Sequence, residues 1–183
     1  MTSPTGCILI DTRSVGARLP RQLAMVEALP SRHRFELVVI DDTRDPRLPD
    51  IVRRFGAHLV SQPRAPLGHR LNAAIGRCGG EVLIFPAFGN ATPAEELWRQ
   101  AARVSAQEVD VITLPAVSRG VLDRLLVRLW GPSGGDGVCL ARHWFERIGG
   151  CDDTLDRSAL ADLLERLRAC GARIEGTHPL EKA

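Results

Sequence analysis

Lysine is nearly missing from this 183-residue chain: Lys182 is the single example, and arginine supplies the rest of its 24 basic residues. Against 22 acids, that leaves a formal net charge of +2. So small an excess, spread along the chain rather than blocked, argues against a nucleic-acid partner. The arginine bias, beside abundant Ala, Gly and Pro, reads as codon composition rather than as a phosphate-binding device. Long hydrophobic runs are missing too. No segment approaches the ~18–20 apolar residues that span a bilayer, so no transmembrane segment is expected. Met1 to Gly6 is polar, and the apolar run behind it is too short for the core of a signal peptide, so the expected location is cytoplasmic. Metal signatures are equally scarce. Cys7, Cys78, Cys139, Cys151 and Cys170 are odd in number, with no C-x-x-C pair, and read as reduced thiols filling small buried sites. His33, His58, His69, His143 and His178 show no i, i+4 pairing, which speaks against zinc.

What is present alternates. Hydrophobic content of 44% and charged content of 25% are ordinary for a soluble globular chain, and the length suits one domain with a real core. Cys7–Asp11 and Phe35–Ile40 read as strands separated by a helix carrying Leu19, Leu23, Val26 and Leu29. Ala57–Val60, Glu81–Phe85 and Val109–Leu114 read as further strands, and Val138–Leu140 as a short one. Helices are expected near Ile51–Phe55, over Gly68–Arg77, after Pro93, over Val121–Leu129, at His143–Ile148 and over Ala159–Cys170. This alternation predicts an α/β domain with a mostly parallel sheet. The second strand ends in Asp41-Asp42. In open parallel sheets ligands bind at the carboxyl ends of the strands, so paired acids there suggest a nucleotide or nucleotide-sugar pocket.

Four stretches in order, Glu36–Asp45, Phe55–Arg64 followed by Arg70–Ala74, Gly80–Phe85 and Gly135–Gly150, resemble the family 2 glycosyltransferases of the GT-A fold. The last contains Phe145-Glu146-Arg147-Ile148-Gly149-Gly150, similar to a recurring Phe-Glu-x-Leu-Gly-Gly motif. The likeness looks closest to the short bacterial arsenosugar-type branch. It implies a single GT-A, Rossmann-like three-layer domain over residues 1–183, with a nucleotide-sugar-binding half (1–115) and an acceptor-side half (116–183). It further implies transfer of a sugar from a nucleotide-diphosphate donor, with a divalent cation, Mn or Mg, as the family's cofactor. A protein partner or a homo-oligomer is compatible with it.

Residue by residue, the resemblance assigns Asp41 or Asp42 to the base or ribose of the donor, where a carboxylate accepts two hydrogen bonds. Capping of the following turn is the alternative for Asp41. Thr12 remains from the family's motif at the end of strand one, and Asn72 matches an Asn beside the donor pocket. Arg64 and Arg70 are candidate diphosphate partners, although in so arginine-rich a chain each alone reads more simply as a solvated surface residue. Gly89 and Asn90 stand beside the donor, Asp136 in an acceptor-side Gly-rich loop, and Trp130 at that loop's rim as a sugar-contacting aromatic. Trp98 and Trp144, at apolar helix positions, read as packing residues.

The departures are three. Pro86-Ala87-Phe88-Gly89-Asn90 offers no carboxylate where the family places its metal-binding Asp, and an Asn side chain is a weak ligand for a hard cation. Ala159 and Leu160 replace a Glu-Asp pair whose Asp serves the family as general base. The Glu at the end of strand one is also absent. Asp152, Asp153 and Asp162 are weak substitutes for the base, with Asp156 nearby; Asp162 reads rather as facing solvent or capping its helix. General-base help is worth ~10²–10⁴ in rate, and a metal contributes several kcal/mol more, roughly. The sequence therefore predicts a glycosyltransferase-like protein with a degenerate active site and no metal ligand. A non-catalytic nucleotide-sugar-binding or partner-binding module is the alternative. A nucleotidyltransferase-like enzyme is weaker, because it needs the same missing acids.

Overall fold

The computed structural model describes residues 6–29, 32–86, 94–114 and 137–176. Strand β1 (Gly6–Asp11) is buried along its whole length, and β2 (Phe35–Asp41) almost so. Continuous apolar runs of this kind belong to strands covered on both faces, which is why they do not alternate with polar residues. With β3 (His58–Ser61), β4 (Val82–Phe85), β5 (Val111–Leu114), β6 (Gly137–Ala141) and β7 (Ile174–Gly176) they form one sheet in the order β3-β2-β1-β4-β6-β5-β7. The pairs β3/β2, β2/β1, β1/β4 and β5/β7 are parallel, and β6 runs antiparallel to both β4 and β5. The expected α/β class with a mostly parallel sheet therefore holds. Because β6 inserts between β4 and β5, the two sides of the chain share one sheet.

Helices cover the strands by presenting apolar stripes. In α2 (Leu19–Glu27), Leu19, Leu23 and Val26 are buried one turn apart, and Pro20 occupies the first turn, where a missing N–H costs least. The later helices are α3 (Leu48–Arg54), α4 (Leu67–Ile75), α5 (Ala94–Ser105), α6 (Arg142–Arg147) and α7 (Ala159–Ala169). In α7, Leu160, Leu163, Leu164 and Leu167 form the buried face, as their spacing predicts. Trp144 is buried in α6, and Trp98 of α5 packs edge-on against Phe35, with ring centroids 5.6 Å apart. Two elements escape the sequence pattern. The four-residue helix α1 (Thr12–Val15) follows directly on β1, with Asp11 as its N-cap accepting from the Ser14 N–H. Strand β7 has three residues, too few for a readable run. The helix expected at Val121–Leu129 lies outside the described residues.

Candidate functional site at the carboxyl edge of the sheet

Strands β1, β2 and β3 run side by side in the same direction, so Asp11, Asp41 and Ser61 emerge along one edge, with Asp41 in register with Ser61. The chain passes outward from β1 to β2 and β3 and then returns to β4 on the other flank of β1. That reversal opens a crevice at the carboxyl ends of β1 and β4, the usual ligand position in an open α/β sheet.

Asp41 is buried, and both its carboxylate oxygens are engaged. Oδ1 accepts from the Thr43 N–H (2.8 Å), the Thr43 hydroxyl (2.6 Å) and the Thr12 hydroxyl (3.3 Å). Oδ2 accepts from the Arg44 N–H (3.3 Å) and the Ser61 hydroxyl (3.4 Å). Burial pushes this carboxyl upward, but the hydrogen bonds from Thr43, Arg44 and Thr12 outweigh it and hold it below the ordinary carboxylate range. Arg44 follows at φ 61, so the turn after β2 enters the left-handed region, and Asp41 is the acceptor that holds it there. Of the two roles open to Asp41, the turn cap is the one built into the fold. Thr12 is buried and points at Asp41.

Beside it runs an alternating chain of charges. Asp11 forms a salt bridge with Arg70 of α4, whose side chain is 0% exposed. The expectation that Arg70 is a solvated surface residue is thereby corrected: the helix turns it inward onto a strand-end acid 59 positions away. Burial raises the Asp11 carboxyl, with Arg70 and Ser14 opposing it. Arg70 Nη2 also lies 3.9 Å from Asp156. Asp156 Oδ2 receives Arg13 Nη1 at 2.8 Å, and Arg13 Nε reaches Asp42 at 3.0 Å. Arg70 Nε and Nη2 have no hydrogen-bond partner among the described residues. Asp156 has a further task. Pro66 offers α4 no side-chain cap, and Asp156 Oδ1 accepts the Leu67 N–H at 3.2 Å, while the Gly68 N–H goes to the Leu155 carbonyl at 2.9 Å.

The remaining candidates are placed as follows. Arg64 is exposed in the turn after β3, at φ 65. Asn72 faces the 151–153 loop: its Nδ2 donates to the Cys151 carbonyl (2.8 Å) and to Asp153 Oδ1 (2.7 Å), and its Oδ1 accepts from the Cys151 N–H (2.9 Å). Asp152 accepts from the N–H and hydroxyl of Thr154, and those bonds lower its carboxyl. Asp153 is exposed and lies 3.6 Å from His69. Asp162 neither caps its helix nor faces solvent unpaired; it accepts from Arg166 at 2.8 Å, and Arg166 in turn donates to the Ile148 and Gly150 carbonyls. Ala159 and Leu160 are packed in the core at 0% and 8% exposure. Gly89, Asn90, Trp130 and Asp136 lie outside the described residues.

Three members of the site, Asp11, Arg13 and Asp156, were not singled out from the sequence as binding residues. Asp11 carried a readable signal, an Asp closing a strand three residues before Ser14. Arg13 and Asp156 carried none, since their partnership spans 143 positions. Among the described residues, the donor set does not fit a divalent cation. Asp41 is saturated by N–H and O–H donors, Asp11, Asp42 and Asp156 are matched by guanidinium groups, and no cluster of three His, Cys, Asp or Glu among the described residues converges to hold a metal.

No family model and no curated protein sequence matches the chain. Solved structures do. A mannosyltransferase from Pyrobaculum calidifontis, in complex with GDP-Man and Mn²⁺, superposes over 97% of this chain and 55% of its own, with TM-score 0.67 and 18% identity. S. aureus TarS in complex with UDP-GlcNAc matches over 98% of this chain and 57% of its own, with TM-score 0.73 and 17% identity. Glucosyl-3-phosphoglycerate synthase from Mycobacterium tuberculosis, in complex with Mn²⁺, UDP and phosphoglyceric acid, matches over 98% and 72%, with TM-score 0.66 and 13% identity. The chain thus spans little more than half the length of the first two. At such identities the likeness is one of fold: this is a single α/β domain with the GT-A architecture of nucleotide-sugar glycosyltransferases.

Proposed function

We propose that the chain is a glycosyltransferase-like protein that holds a nucleotide-diphosphate sugar at the carboxyl edge of β1, β2 and β4, and that it lacks the machinery for metal-dependent transfer. Residues 1–115 form the donor-binding half in this reading and 116–183 the acceptor-side half, acting in the cytoplasm. The fold supports the ligand class. The observation that carries the rest is the state of the acids: the carboxylates at the crevice are consumed by the chain's own N–H, O–H and guanidinium groups. In this reading the buried Ala159 and Leu160 take the positions of the family's acids. A site of this kind retains shape and hydrogen-bonding groups for a donor but has no ready anionic oxygen for a bridging cation or for a proton.

A binding module without turnover is the second reading, and the burial of Ala159 and Leu160 favours it over a transferase that recruits its base from α7. Both are tested together. Thermal unfolding is followed with UDP-, dTDP- and GDP-sugars, with and without Mn²⁺, because a ligand of the folded state raises the midpoint by mass action. A shift with at least one sugar nucleotide that Mn²⁺ leaves unchanged is expected. No shift with any of them sinks the donor site, and a shift that appears only with Mn²⁺ sinks the claim about the acids. Donor hydrolysis then separates the two readings: turnover in the parent supports a transferase, and its absence the module.

A further inference from the structure

On the edge of the sheet opposite the crevice, Cys7 near the start of β1 meets Cys78 in the loop between α4 and β4. Cys7 is 0% exposed and Cys78 7%, and Cys78 lies between two exposed residues, Arg77 and Gly79. The two side chains interact, and the Cys78 thiol donates to the Ile75 carbonyl at 3.5 Å. Close approach is built into the backbone: a Cβ on Gly80 would lie 2.4 Å from the Gly6 carbonyl carbon, so only glycine lets the loop reach β1 this tightly. Arg142, at the start of α6, closes around the loop. Its Nη2 donates to the Cys78 sulfur at 3.2 Å and to the Cys78 carbonyl at 2.7 Å, its Nε to the Gly80 carbonyl at 2.6 Å, and its Nη1 to the Ile75 carbonyl at 3.3 Å.

This environment treats the two sulfurs oppositely. The Cys7 hydrogen bond and the Arg142 guanidinium lower the Cys78 thiol, against burial and the nearby Glu36 carboxylate. Cys7 is raised, by that same hydrogen bond and by burial. Glu36 itself accepts the Gly79 N–H at 3.2 Å, which ties the loop to β2. By contrast, burial alone raises the Cys139 thiol, and at Cys151 burial outweighs the nearby Arg166 and pushes the thiol up to about 12. A thiolate beside an arginine, next to a second thiol, is the arrangement that reacts with peroxides.

We propose that Cys78 and Cys7 form an oxidisable dithiol site, with Cys78 as the nucleophile toward a hydroperoxide, Cys7 as the resolving thiol and Arg142 as the positioning residue. The Cys78 thiolate attacks the distal peroxide oxygen; the O–O bond breaks and the alkoxide or hydroxide leaves as ROH or water after taking a proton. Cys78 is then a sulfenic acid. Cys7 loses its proton and attacks the Cys78 sulfur, the S–S bond forms, and the sulfenic oxygen departs as water. Two electrons pass from the dithiol to the peroxide. The product disulfide joins β1 to the α4–β4 loop, beside the tight contact of Gly80 with Gly6. The site is independent of any ligand at the crevice.

The test uses the reduced full chain treated with hydrogen peroxide, alkylated and mapped by mass spectrometry without reduction. The parent should yield a Cys7–Cys78 linked peptide, while Cys139 and Cys151 stay reduced. Cys7→Ser should stop at a Cys78 sulfenic acid that dimedone traps. In Arg142→Gln, alkylation of Cys78 should slow about tenfold at pH 7 and its pH midpoint should rise, a change that a purely structural arginine would not cause. The parent's map needs no variant to fold. If exposed Cys170 oxidises and no Cys7–Cys78 peptide forms, or if Cys78 alkylates with the midpoint of an ordinary thiol, the site is refuted.

Discussion

Asn72 pairs with Cys151 as one strand pairs with another: its amide donates to the Cys151 carbonyl at 2.8 Å and accepts the Cys151 N–H at 2.9 Å. Through that contact α4 grips the loop that follows Gly150, whose φ of 80 places its backbone close beneath the Asn72 oxygen. Asn72→Ala leaves two buried backbone groups without partners. The expected cost is about 1–3 kcal/mol, read as a lower urea midpoint at an unchanged slope. An unaltered midpoint would return Asn72 to the role of a free donor-site residue.

The same loop sets a steric condition on α4. A Cβ at Gly68 would lie 1.9 Å from the Asp152 carbonyl oxygen, a backbone atom that has nowhere to retreat. Gly76, at the other end of the helix, has φ −62 and only ordinary contacts at 3.5 Å and beyond. The two glycines should therefore respond with opposite signs to one substitution. Gly68→Ala should destabilise by about 1–3 kcal/mol through overpacking, whereas Gly76→Ala should stabilise by about 0.4–1 kcal/mol through the unfolded chain. Thermal unfolding of the pair decides it, and a tolerated Gly68→Ala would mean that the loop is not seated on the helix.

These contacts also mark how far the sequence could be read. The strands of the parallel core were legible because runs such as Cys7–Ile10 and Leu37–Ile40 are covered on both faces and carry no polar interruption. The leucines of α7 were legible through their period. The antiparallel direction of β6 was not, since Val138–Leu140 reads the same in either direction and its neighbours alone orient it. At the site, Asp41 and Asp42 announced themselves at a strand end. Arg70 was not legible as a buried residue. Arginine is almost always solvated, and the acid that makes its burial tolerable is brought to it only by the tertiary fold.

Acid should weaken one joint of the sheet first. Asp110, just before β5, receives the Arg173 Nη2 at 3.0 Å, its Nε at 3.1 Å and its backbone N–H at 2.8 Å. The Arg173 side chain is the largest cause holding this carboxyl down to about 2, with burial opposing it. A carboxyl depressed in the folded state contributes stability that is fully present above its unfolded value of roughly 4 and is lost as pH falls toward 2. Asp110→Asn should therefore lower stability at pH 7 and flatten its decline between pH 4 and 2. Urea midpoints of parent and variant at pH 7 and pH 3 measure this, and parallel declines would discard the assignment. Asp41 and Asp152, also depressed, leave the variant a residual slope.

The Asp11–Arg70 pair offers the sharpest test of the crevice. Both side chains are removed from water, and Arg70 Nε and Nη2 have no hydrogen-bond partner among the described residues. Removing one member strands the other's charge in the interior, an expected loss of about 3–5 kcal/mol for Arg70→Met. The double variant Asp11→Leu with Arg70→Met removes both charges and should recover much of that loss, because a buried pair contributes little beyond its own desolvation. If the pair is a structural floor beneath the donor, the double variant should fold and still respond to sugar nucleotides in thermal unfolding. If it folds but no longer responds to the nucleotide that stabilises the parent, Arg70 belongs to the ligand rather than to the scaffold, and the internally satisfied crevice described above is wrong at its centre.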